Sequence, residues 1–145
     1  MGAYYYDERK EIREAVIAGE RALSSLRAAK DRLDSARRWG VMDLFGGNVI
    51  SGFVKHSRMS DASRCVEQAK DDLRRFQDEL SDVQDLQRLD IGIGDFMTFA
   101  DFFFDGFLAD IFVQSKINDA RRNVEEAIRR VEEMLRRLKS SPAYR

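Results

Sequence analysis

Residues 59–83, MSDASRCVEQAKDDLRRFQDELSDV, decide the fold. Apolar or small side chains fall at Met59, Ala62, Val66, Ala69, Leu73, Phe76, Leu80 and Val83, stepping 3,4,3,4,3,4,3. That is a heptad seam held over three repeats, with polar residues between its members. Leu86 and Leu89 continue it loosely, so the pattern predicts a helix over about 58–91, roughly 50 Å long at the helical rise.

The same rule recurs on both sides. Ile117, Ala120, Val124, Ala127, Val131, Met134 and Leu138 form a second seam, widened by Ile128 and Leu135. A stripe that wide buries against two neighbours. Ser140, Ser141 and Pro142 end it. Toward the N-terminus, Ile12, Val16, Gly19, Leu23, Leu26 and Leu33 mark a helix over about 7–38. Ala15, Ala22, Ala29 and Ala36 recur beside that seam at heptad spacing. Gly19 costs about 1 kcal/mol against alanine inside a helix, which is understandable where another backbone or side chain comes close. Lys30 occupies one seam position, where its stem can lie along the core while its amine reaches water. The pattern predicts an all-α, coiled-coil-like fold: an antiparallel bundle of three long helices with two short apolar helical inserts, in one domain over 1–145.

Shifting the chain by 58 residues aligns 43–69 with 101–127 without a gap, and nine of the 27 pairs are identical. Asp43/Asp101 and Ser57/Ser115 are the pairs that heptad composition does not account for. The unit is read as helix, apolar insert, helix. Copy one covers about 7–82 and copy two about 80–140, sharing the middle helix. This arrangement predicts inserts at opposite ends of that helix, related by a pseudo-twofold axis.

Insert one runs from Trp39 to Ser57. Gly40 and Gly46–Gly47 are expected to punctuate tight turns, and Val49, Ile50, Phe53 and Val54 to line one face of a short helix. Ser57 or Ser60 would cap the next helix, with Asp61 in its first turn, where the helix dipole favours an anion. Its polar residues, Asp43, Asn48, Lys55 and His56, with Trp39, form the candidate ligand site. The simpler reading of the same residues is structural, with Asp43 and Asp101 accepting backbone N–H bonds in the insert turns. Asp101 and Gln114 are the counterparts of Asp43 and His56 in copy two. Glutamine replaces histidine as a hydrogen-bonding group but not as a general base. Insert two, 91–113, gathers Phe96, Phe103, Phe104, Phe107 and Ile111 on one helical face. Such a face needs cover. Folding back over the end of the bundle is the preferred burial, with a dimer contact or a membrane interface as the alternatives. Its aspartates and lack of base argue against anionic lipid.

The chain carries 35% charged residues at a net charge of −1. Its last third is basic, but Glu125–Glu126 and Glu132–Glu133 alternate with the arginines, the pattern of a solvated helix face rather than a nucleic-acid surface. The single cysteine, Cys65, allows no internal disulfide. The first residues lack the apolar core of a signal peptide, and no run reaches the ~20 apolar residues of a membrane span. The default compartment is therefore the cytoplasm. No zinc spacing, phosphate-binding loop, dinucleotide fingerprint or nucleophile elbow occurs. No metal or cofactor is expected, no small-molecule partner is identifiable, and the chain leans away from enzymes, with a small-ligand or enzymatic site in the Trp39–His56 insert as the alternative. A protein partner or self-association is the expected mode of action.

The run W-G-V-M-D-L-F-G-G, with K-H-S-R-M-S-D-A after it, resembles a signature of uncharacterised bacterial helical proteins. Trp39, Gly40, Asp43, Gly46, Gly47, Lys55 and His56 carry the resemblance, which spans about 39–62. It implies a bacterial origin and a helical fold, and transfers no mechanism.

Overall fold

A computed structural model describes residues 7–46, 49–83, 93–106 and 114–144 of the chain, with side chains described outside 36–60, 93, 102–119 and 143. The described residues are helical, with no strand among them. Helix α1 spans Glu8–Gly46, α2 Val49–Asp82, α3 Ile93–Gly106 and α4 Gln114–Ser140. A 3-10 turn over Pro142–Tyr144 follows α4. Asp7 starts α1 as its cap: its carboxylate accepts from the Lys10 N–H at 3.2 Å and its carbonyl from the Glu11 N–H at 3.0 Å. At the far end of α4, Ser141 N–H reaches the Leu138 carbonyl at 3.1 Å, and Pro142 then prevents continuation.

Several local expectations are corrected. Gly40 does not make a turn but lies inside α1, which continues to Gly46. Asp43 therefore sits on the helix as well. The apolar stretch after residue 48 is not a separate short helix: it is the beginning of α2. Ser57, Ser60 and Asp61 are consequently interior to α2 and cap nothing at its start. The middle helix stops at Asp82 rather than near 91, where the Val83 N–H closes on the Leu80 carbonyl at 3.1 Å. Glycine lowers helix propensity by about 1 kcal/mol, too little to stop a long helix that is buried along most of its length. Leu86 and Leu89 lie outside the described residues.

The seams bury as heptads should. Ala62, Val66, Ala69, Leu73, Phe76, Leu80 and Val83 of α2 are all buried, as are Ala120, Val124, Ala127, Val131, Met134, Leu135 and Leu138 of α4. On α1 the small residues do more than accompany the seam. Ala15, Gly19, Ala22 and Ala29 are buried with Leu26 and Leu33, whereas Leu23 is only half-buried. Small side chains let α1 receive two long helices at close range.

The direction of each helix follows from its cross-links. Ser25 meets Asp72, and Gly19 faces Phe76, so α1 and α2 are antiparallel. Glu20 pairs with Lys139, Arg27 with Glu132 and Asp34 with Arg121, so α4 is antiparallel to α1 too. The two outer long helices therefore run parallel to each other. What makes this possible is α3, which carries the chain back along the bundle. Its Phe96 ring packs edge-on to Phe76, with centroids 5.4 Å apart and planes at 73°. Its Phe99 lies 4.8 Å under the guanidinium of Arg130. Helices α2 and α4 are thus bridged by α1 on one side and α3 on the other. The described part of the apolar insert does not plug an end of the bundle, as its sequence suggests, but wedges into the flank. The start of α4 consequently lies at the same end as the α1–α2 hairpin, which removes the expected separation of the two inserts to opposite ends. Among the described residues, no helix is long and apolar enough to cross a membrane.

Candidate functional site

The sequence-predicted site residues are held by helices rather than loops. Trp39, Gly40, Asp43 and Gly46 fall on the last turns of α1, and Lys55 and His56 on the second turn of α2. Their side chains lie outside the described residues, as do Gly47 and Asn48 altogether. Gln114 opens α4, with its side chain likewise outside the description. Phe103 and Phe104 belong to the last turns of α3, and Phe107 and Ile111 lie outside the described residues. Two of the predicted residues have described side chains. Asp101 is exposed and accepts a hydrogen bond from Gln77 at 3.3 Å. Phe96, expected on an interaction surface, is instead 3% exposed and belongs to the core. Its ring is consumed against Phe76, so it is not available to a partner.

Three polar clusters among the described residues were not singled out from the sequence. The first is buried. Asp72, 8% exposed, accepts from the Ser25 hydroxyl across the α1–α2 contact and from Gln68 at 3.2 Å. A carboxylate so placed is satisfied, and it helps fix the register of the two helices, since a slip of one turn would take away its Ser25 donor.

The second joins α1 to α4. Asp34 bonds Arg121 across the helices and Lys30 one turn earlier, at 3.1 Å. Burial alone would raise the Asp34 carboxyl, but the bonds and charges of Arg121 and Lys30 outweigh it and hold the group below its ordinary value. The sign follows from linkage. A depressed carboxylate contributes stability that is present above its unfolded value, about 3.9, and lost as pH falls through the folded value.

The third is purely acidic. Glu11 and Glu14, one turn apart on α1, and Glu79 on α2 bring carboxylate oxygens within 4.8 Å of one another. Glu79 Oε2 is buried and has no hydrogen-bond partner. Burial, then the charges of Glu14, Asp82, Glu11 and Asp78, push the Glu79 carboxyl above its ordinary value. Beside it a shallow cavity is lined by Ile17, Ala18, Arg21 and Arg75. Ile17, 54% exposed, is the one large hydrophobe exposed among the described residues. Finding this cluster from sequence requires the α1–α2 register, which heptads alone leave undetermined by whole turns.

Elsewhere the charge is internally matched. Glu126 holds Arg129 and Arg130, and Glu133 holds Arg136 and Arg137, at i,i+3 and i,i+4 spacing along α4. These exposed pairs contribute little each, but they account for much of the α4 arginine. Comparison with known protein families, with curated proteins and with solved structures finds no match to this chain.

Proposed function

We propose that this chain is a noncatalytic interaction scaffold built as a helical bundle. Its apolar stretch at residues 39–57, the end of α1 and the start of α2, serves as the contact for a protein partner, in the simplest case a second copy of itself. The reading rests on where the apolar sequence is spent. The described rods place their seams inside, and one large exposed hydrophobe remains on them. The sequence puts Trp39, Val41, Met42, Leu44 and Phe45 on the last turns of α1 and Val49, Ile50, Phe53 and Val54 on the first turns of α2. Helix α1 runs twelve residues beyond Asp34 to Gly46, whereas α4 begins only seven residues before Arg121, the partner of Asp34. The last turns of α1 and the first of α2 thus reach past the start of α4. An apolar hairpin tip of that kind is suited to burial against another helical surface.

Light scattering over a concentration series tests this reading. The expected result is a molar mass that rises toward twice the 16.8 kDa of one chain. Replacing Val49 and Ile50 by serine should shift that rise to higher concentration without loss of helical signal. A chain that stays monomeric into the millimolar range contradicts the self-association form.

A further inference from the structure

We propose that the groove between α1 and α2 around Ile17 is a second self-contact, which binds the same groove of another copy across a twofold axis perpendicular to the helices. It is separate from the contact at residues 39–57 and does not rest on it. The charge pattern of the groove carries it. Glu14 and Glu79 line one end of a cavity of about 270 Å³, Arg21 and Arg75 the other, with Ile17 and Ala18 between them. Ile17 is 54% exposed, the one large hydrophobe so exposed among the described residues. Arg21 and Arg75 are exposed, and among the described residues neither has an ion-pair partner, although Arg75 stands one turn from Glu79. At the acidic end, Glu14, Asp82, Glu11 and Asp78 add to the effect of burial on Glu79, so acids dominate there. Asp72 also lines the cavity but is committed to Ser25 and Gln68.

The pattern selects the axis. A twofold axis along the helices would lay α1 over α2 of the other copy, acidic end on acidic end. An axis across them lays each helix antiparallel on its own counterpart and reverses the groove, so that acids meet bases. Glu14 then falls opposite Arg21 of the second copy, and Arg75 opposite Glu79, each twice by symmetry. The midpoint of positions 14 and 21 lies between Ile17 and Ala18, and that of 75 and 79 is Gln77. Gly19 faces Phe76 across the two antiparallel helices, so both midpoints stand at nearly the same height. One axis therefore serves both helices, and it sets Ile17 over the small Ala18 of the other copy. Withdrawal of Ile17 from water supplies the apolar centre, and the charge pairs around it set the register.

Sedimentation equilibrium of Glu14→Arg, Arg21→Glu and their equimolar mixture gives the test. All are made in a Val49→Ser/Ile50→Ser background, which suppresses association through residues 39–57. The parent in that background should still dimerise. Each reversal sets like charges opposite each other and should lower the association constant by about tenfold or more. In the mixture, a chain with bases at both positions meets one with acids at both, so a heterodimer should form in the parent's concentration range. Helical circular dichroism should be alike throughout, and recovery on mixing shows that both variants are folded. A parent that stays monomeric into the millimolar range overturns the contact and leaves the groove to an occupant other than this chain. Association that neither reversal weakens, or that mixing does not restore, overturns it as well.

Discussion

Phe76→Ala is expected to destabilise the chain by about 3–5 kcal/mol, the range for emptying a large buried aromatic site. Domains of this size are commonly stable by about 5–15 kcal/mol, so the variant should lie close to the unfolding threshold. The reason is the position of the ring. Phe76 is 0% exposed, faces Gly19 of α1 and holds Phe96 of α3 edge-on. Truncation leaves a cavity at the meeting of three helices, and it also removes the ring that seats α3. Rigid, well-packed surroundings collapse poorly into such a space, which puts the cost at the upper part of the range. Urea unfolding followed by helical circular dichroism measures it, with Phe76→Leu as the milder comparison. A loss below 1 kcal/mol for the alanine variant would mean that the ring is not at this junction.

Gly19→Leu should be nearly as damaging, at about 3 kcal/mol, although leucine is the better helix former by most of a kcal/mol. A Cβ at position 19 would stand 2.7 Å from Leu135 Cδ2 and 2.8 Å from Phe76 Cε1. Neither neighbour has room to retreat, since Phe76 is fully buried and Leu135 is 5% exposed. Alanine at the same position sets a smaller gain in propensity against a smaller overlap, and should cost about 1 kcal/mol. Gly19→Leu and Phe76→Ala should also couple. Phe76→Ala empties the space that a leucine side chain on α1 would invade, so the double variant should be less destabilised than the sum of the singles by about 1 kcal/mol or more. Additive losses would place Gly19 away from Phe76.

The seam of α2 shows what is readable in the sequence and why. Its members need only the 3.5-residue period, and every described member is buried. The same period identifies the stripe of α4. It does not say which way α4 runs, because a heptad stripe looks alike in either direction. Direction is set by α3, whose Phe96 and Phe99 find Phe76 and Arg130 along the flank, and nothing in an apolar stretch names the groove it will fill. Gly40 misleads for a related reason. A glycine reads as a break where it is isolated, but the helix on either side of it is stabilised by packing that the local sequence does not contain. The polar clusters fail differently. Asp72, Asp34 and Glu79 each depend on a residue of another helix as well as on neighbours along their own, and a shift of register would change that cross-helix neighbour. For the predicted site at Trp39, Asp43, Lys55 and His56, the helices now assign positions on α1 and α2. A backbone position selects no chemistry by itself, because reactivity depends on where the side-chain atoms meet.

Spin-label distances test the central claim, that α3 returns the chain so that α4 runs antiparallel to α1. In a Cys65→Ser background, labels replace Glu20 and Lys139 in one protein, and Glu20 and Arg122 in another. The ion pair between Glu20 and Lys139 predicts the first pair within about 20 Å, the reach of two labels on packed helices. The second pair should be longer, because position 122 lies about 25 Å further along α4 at the helical rise. The opposite order, with position 20 nearer 122 than 139, would contradict the arrangement of the helices.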